Sequence, residues 1–292
     1  MSFWKALFGG SEKTPDEEKK DDTERKFDLY KYDGIKALRM NQTEYAVKCF
    51  SEALKLQPDI ETLDYLSQAF VRLGRFDESI ATLDIIRRAH PQLTQVYDRM
   101  GHIAYMAEDY DRLDEIARQA LEQDPQHAHA YYMAAQAALG KQKPVEAIAQ
   151  LTKALAIDDG KEDAHLLRAQ TLLALGDTTS AQKDADWLRE QNEADDDVML
   201  LCARLAARQG RAEEALQTYS AIIDSNPFHA DAFLERGRLY YDQGDKQAAE
   251  ADMQKYLELR PQEMEGVNGK YEAEGVEEMM KRAYSAINPF GL

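Results

Sequence analysis

The stretch PFHADAFLERGRLYYDQGDKQAAEADMQKYLELRP, residues 227–261, begins and ends on proline. Those two prolines belong to a series. Pro58, Pro91, Pro125, Pro227 and Pro261 are separated by 33, 34, 102 and 34 residues, and 102 is three times 34. The two register points without a proline hold Asp159 and Glu193. Proline cannot continue a helical hydrogen-bond ladder, so a proline recurring at one period marks the end of a helix in each repeating unit.

Other positions keep the same ruler. A mostly small row reads Ala46, Ser79, Leu113, Ala147, Ala181, Ala215 and Ala249, with Leu113 the one large member. A second reads Gly34, Ser67, Gly101, Ala135, Ala169, Ala203 and Gly237, and a third Ala53, Ile86, Ala120, Ala154, Leu188, Ile222 and Tyr256. Small side chains at fixed points let two helices approach closely, where a bulky one would cost about 1–3 kcal/mol of overpacking. Val96, Tyr97, Met100, Ile103 and Ala104 follow one another at steps of 1, 3, 3 and 1, which is one face of an α-helix. Gly74, Gly176, Gly210 and Gly244 recur between the two helices of a unit, where a left-handed residue ends the first. Pro144 falls in a matching turn, a place where a helix start tolerates it.

A 34-residue period of this kind resembles the tetratricopeptide repeat family, from about Phe27 to Pro261. The first unit carries the pattern in Gly34, Ala37, Ala46, Phe50, Ala53 and Pro58, and the last in Phe233, Gly237, Tyr240, Ala249, Tyr256 and Pro261. Units four and five depart from it at the closing proline. The resemblance implies an all-α fold, a right-handed superhelical solenoid of seven helix-turn-helix repeats. Their expected bounds are 27–59, 60–93, 94–127, 128–161, 162–195, 196–229 and 230–261, each repeat packing only on its neighbours. Residues 262–292 are expected to hold a capping helix, since Val276, Met279, Met280, Ala283 and Ile287 fall at helical spacing, followed by a free tail. Ser11 to Lys26, charged and nearly without apolar residues, reads as a disordered linker or a solvated helical extension.

Composition narrows the function. Asp and Glu outnumber Lys and Arg by 54 to 36, a formal net charge of -18 over 292 residues. Nucleic acid is recognised through cations that neutralise phosphates, so it is not an expected partner, and an anionic membrane surface would repel the chain for the same reason. Cys49 and Cys202, far apart and both inside expected helices, do not suggest a disulfide framework. No stretch is long enough to cross a bilayer. The N-terminus has no export signal, and a cytoplasmic location is expected.

No catalytic motif is present: no G-x-S-x-G, phosphate loop, H-E-x-x-H or dinucleotide fingerprint, so the chain is read as a non-enzyme without cofactor or metal. His127 and His129 form an H-x-H pair, but residues two apart do not face each other on a helix and no further ligand stands at zinc spacing. The run Asp195-Asp196-Asp197 lacks the glycine and distal Glu of a calcium loop and reads as a helix N-terminus.

What the resemblance implies is a concave groove lined by the first helix of each repeat. The positions so assigned are Lys31, Ile35, Asp64, Gln68, Asp98, His102, Tyr105, His129, Tyr132 and Gln136, then Leu166, Gln170, Leu173, Leu200, Arg204, Leu234, Arg238 and Tyr241. Gln68, His102, Tyr105, His129, Tyr132, Gln136, Gln170, Arg204, Arg238 and Tyr241 are the candidate partner-binding residues. Tyr, His and Gln offer rigid contact area with hydrogen bonding, which suits a protein or peptide ligand. The family's carboxylate clamp for chaperone C-termini is not expected. Lys31 and Arg99 match it, but Ile35, Tyr65 and Gln95 stand where Asn, Asn and Lys belong. The function expected is a scaffold or adaptor that holds a peptide or helix in the groove. The alternative is an accessory subunit that binds through its convex face or ends. Phe3, Trp4, Leu7 and Phe8, spaced by 1, 3 and 1, would gather on one side of a helix as an N-terminal docking element.

Overall fold

In the computed structural model, which describes residues 15–264 and 273–284, the apolar periodicity becomes paired helices. The first helices of the seven pairs are α1 (Pro15–Arg39), α3 (Ile60–Arg72), α5 (Thr94–Met106), α7 (Ala128–Gly140), α9 (Glu162–Ala174), α11 (Asp196–Arg208) and α13 (Ala230–Asp242). The second helices are α2 (Thr43–Leu56), α4 (Phe76–Ala89), α6 (Tyr110–Gln123), α8 (Pro144–Ile157), α10 (Thr178–Gln191), α12 (Ala212–Ser225) and α14 (Lys246–Leu259). A short 3-10 turn (Pro261–Met264) and α15 (Ala273–Tyr284) follow, and no strand occurs among the described residues. From α3 onward the first helices start 34 residues apart. α1 starts at Pro15, so the charged segment before Phe27 is helical from there, with Lys26 paired to Asp22 at 2.7 Å.

Local chemistry sets the ends. Asp59, Asp109, Asp177, Asp195 and Asp245 each cap a helix, accepting the backbone N–H of Thr62, Arg112, Ser180, Val198 and Ala248. The acidic run thus opens α11, with Asp196 and Asp197 in its positive first turn. Between the helices of each pair one residue has positive φ. Gly74, Gly176, Gly210 and Gly244 do so at no steric cost, and Asn41, Glu108 and Gln142 occupy the same register without a glycine's freedom. Pro144 sits in the first turn of α8.

The chain divides into two compact units between Lys141 and Gln142, inside the fourth pair. In the first unit the small rows are where helices touch. Ala46, Ser79 and Leu113 have no exposed surface. A Cβ on Gly34 would lie 2.5 Å from the Phe50 ring, so only glycine lets α1 approach α2 this closely. In the second pair both small positions are serines, and they are satisfied by each other. Their Oγ atoms lie 2.8 Å apart, and Ser79 also donates to the Ser67 carbonyl at 2.9 Å.

In the second unit Ala147, Ala181, Ala215 and Ala249 are equally buried. Here two repeats share a polar device. Arg168 on α9 binds Asp184 on α10 and reaches Thr152 on α8; Arg236 on α13 binds Asp252 on α14 and reaches Ser220 on α12. The arginine, its acid 16 residues later and its hydroxyl 16 residues earlier recur at twice the 34-residue period. α15 lays Val276, Met279, Met280 and Tyr284 on Ala249, Met253 and Leu257, covering the apolar side of α14 as a cap must.

Candidate partner-binding groove

Positions 34 residues apart come side by side when first helices stack. On α3, α5 and α7 this places Gln68 beside His102 and Arg72 beside Met106. A cleft of about 500 Å³ opens there, within the first unit. Val71, Ile103 and Met106 supply its apolar surface, and Gln68, His102 and His129 hydrogen-bonding groups. Two of its charges are engaged within the array: Arg99 pairs with Asp64, and Asp98 Oδ1 lies 2.6 Å from His127 Nε2. Arg72 donates to the Leu38 carbonyl at 3.0 Å while its side chain stays exposed at the rim. Gln68 donates to Asp64 at 2.8 Å.

Tyr105, also exposed, lies edge-on to Tyr110 with ring centres 6.4 Å apart. His129 is stacked on Tyr132 at 5.6 Å and edge-on to His127 at 6.4 Å. The H-x-H pair is thus divided between an inter-repeat hydrogen bond and the cleft. Among the described residues no group of three His, Cys, Asp or Glu is placed to hold a metal ion. Gln136 is half-buried next along the Gln68–His102 row.

The remaining candidates lie in the second unit. Gln170 is half-buried on α9. Tyr241 rests against Tyr284 of the cap at 5.5 Å, and Arg238 lies 3.8 Å from Asp242. Arg204 is held inside the array instead of facing a groove. Its guanidinium grips Glu235 of the next repeat through contacts of 3.0, 3.0 and 2.6 Å, and Tyr219 donates to the same carboxylate at 2.8 Å. Burial pushes the Glu235 carboxyl upward, against the pull of Arg204 and Tyr219. Burial and the Glu235 charge together hold the Tyr219 phenol far above its ordinary value. Leu173 and Leu200, assigned to the groove by position, are buried in the core because their side of the helix meets the neighbouring repeat. Phe3, Trp4, Leu7 and Phe8 lie outside the described residues.

Val71, Arg72, Arg99, Ile103 and Met106 line the cleft and were absent from the candidate list. The rows Arg72–Met106 and Gln68–His102 run parallel at the same 34-residue step, so the register could have named the former. No helix among the described residues is long and apolar enough to cross a membrane.

This arrangement of paired helices defines a helical-repeat binding protein. The tetratricopeptide repeat model matches residues 99–162, 166–227 and 203–263, and the chain belongs to that family. It is similar to the DnaJ protein P58IPK homolog B of Oryza sativa subsp. japonica, 28% identical over 193 residues, 61% of this chain and 40% of that protein. The chain spans well under half the length of the curated relatives it matches first. Among solved structures, a tetratricopeptide repeat protein from Parabacteroides merdae superposes at a TM-score of 0.65, with 16% identity, over 88% of this chain and 98% of that one. YrrB, described as having an unusual peptide-binding site, gives 0.50 with 23% identity over 61% and 92%.

Proposed function

We propose that the chain is a non-catalytic scaffold or adaptor that holds an extended peptide or a helix across α3, α5 and α7. The observation that carries this is the cleft itself. It has an apolar floor with exposed His102 and Met106 at its mouth, while Arg99 and Asp98 are already paired and Arg72 stands exposed at the rim. Such a site favours an apolar anchor flanked by neutral hydrogen-bonding groups. The carboxylate-clamp reading finds no support. The two matching cations are engaged, Lys31 by Asp59 and Glu61 at 2.9 and 2.7 Å and Arg99 by Asp64. The acidic balance likewise speaks against nucleic acid, and we propose a cytoplasmic site of action.

The test is to select binders from a random-peptide phage library on the full chain, then measure them on a Gln68→Ala, His102→Ala, Met106→Ala variant. Binding should fall at least tenfold with little change in melting temperature, since truncations away from packing stay within about 0.5 kcal/mol each. Selected peptides that bind both proteins equally would remove the groove reading. A second reading, an accessory subunit using its convex face, rests on exposed Tyr45, Ile85 and Val145, all on second helices. It expects Ile85→Ser and Val145→Ser to abolish assembly while peptide binding persists. The N-terminal Phe3, Trp4, Leu7 and Phe8 remain a proposed docking element, to be tested by deleting residues 1–10.

A further inference from the structure

In each repeat after the first, one side of the first helix is covered by the second helix of the repeat before. The register of Leu29 recurs as Thr62, Val96, Ala130, Ala164, Val198 and Ala232, all buried. The register of Lys36 recurs as Ala69, Ile103, Ala137, Thr171 and Leu205, also buried, and as half-buried Leu239. Among the described residues no helix precedes α1, and the same side stands open: Leu29 is 59% exposed, with Tyr30 and Lys36 exposed beside it; Met40, just past the helix end, is 58% exposed.

We propose that this side of α1 is a homodimer interface, on which α1 of a second copy packs antiparallel. Leu29, Asp33 and Lys36 on α1 and Met40, the residue after its end, step by 4, 3 and 4, a single seam of the kind two helices share. The seam is self-complementary about its midpoint. A two-fold axis there sets Asp33 opposite Lys36 of the second copy, and Leu29 opposite its Met40, and repeats both contacts by symmetry. Two ion pairs at the centre with an apolar contact at each end fix both register and direction. A parallel pairing would set Asp33 against Asp33 and Lys36 against Lys36. In the other repeats this surface is covered by a helix of the same chain, so a helix is the shape it fits. The contact is small. From Asp22 to Arg39 the helix is about 27 Å long, and a single helix pair falls below the roughly 1,200 Å² of a strong interface, so the dimer forms in the micromolar range.

Sedimentation equilibrium of the full chain tests this, over about 1–200 µM, a range that brackets such affinities. A monomer–dimer equilibrium is expected. Asp33→Lys and Lys36→Asp each place like charges opposite one another and should weaken dimerisation at least tenfold. The double variant Asp33→Lys/Lys36→Asp reverses both bridges and should return to within a few-fold of wild type. Lys36 is exposed and Asp33 half-buried, and circular dichroism should show unchanged helicity. A chain that stays monomeric throughout overturns the proposal, as does a dimer indifferent to the single changes or not recovered by the double one. A monomer that dimerises only when residues 1–14 are removed also overturns it, and assigns the face to the chain's own N-terminal segment.

Discussion

Replacing Arg204 by Ala separates a groove residue from a structural one. The Arg204 side chain is 12% exposed and that of Glu235 5%, and the guanidinium makes three of the four hydrogen bonds that the carboxylate receives. Removing it leaves a buried carboxylate held only by the Tyr219 hydroxyl. Breaking one partner of a buried pair costs about 3–5 kcal/mol, against at most about 0.5 kcal/mol for a solvent-facing groove position. At roughly 2–4 °C per kcal/mol for a unit of this size, the melting temperature should fall by about 6–20 °C. The loss should depend on pH in a definite direction. Burial already pushes the Glu235 carboxyl upward, and without Arg204 nothing but Tyr219 opposes that. A raised folded pKa means that the folded variant binds more protons than the unfolded chain, so its stability falls as pH rises through that value. The deficit against wild type should therefore be larger at pH 8 than at pH 5. Arg204→Met, Glu235→Leu and Tyr219→Phe together replace the charges with apolar surface, and stability should return close to wild type. Thermal melts followed by far-ultraviolet circular dichroism read all of these. An Arg204→Ala variant that melts within about 1 °C of wild type at pH 8 would refute the buried-pair reasoning and return Arg204 to the groove.

Glu108 holds the left-handed turn position that glycine fills in four other repeats. A non-glycine residue there costs about 1–2 kcal/mol, partly offset by the greater unfolded-state freedom of glycine, so Glu108→Gly should raise the melting temperature by a few degrees while Gly74→Glu lowers it. Gly34→Ala places a Cβ against the Phe50 ring; overpacking of about 1–3 kcal/mol exceeds the helix-propensity gain of about 1 kcal/mol, and the urea midpoint should drop. Burial alone would raise the Asp59 carboxyl, but Thr62 and Lys31 outweigh it and hold it below the usual range. That stabilisation is present above the unfolded pKa near 3.9 and lost as pH falls through the lower folded value. Asp59→Asn should therefore melt lower than wild type at pH 7 and converge with it below about pH 3. Tyr105→Ala should leave stability unchanged within about 0.5 kcal/mol, because its ring is exposed beside the cleft; a large loss would make it a core residue.

The repeat was legible because stacking obliges it to be. A helix pair that buries its faces only against its neighbours must present the same small, apolar and turn residues at the same places each time, so the 34-residue ruler through Ala46, Ser67 and Pro58 is the packing itself written along the chain. The left-handed register was half legible: glycine announces it four times, whereas Asn41, Glu108 and Gln142 adopt it with side chains that do not announce it. What the tertiary structure alone decided is which polar side chains stay accessible at the cleft. Arg204, His102 and Gln68 look alike by position. Arg204 is withdrawn because Glu235, 31 residues on, is carried against it by the stacking of α11 and α13, while His102 and Gln68 remain at a cleft mouth. Leu173 and Leu200 are buried against the neighbouring repeat, which a position count does not register. Periodicity records which residues must touch the next repeat in every unit, whereas a charge pair formed once, between two particular repeats, leaves no period to read.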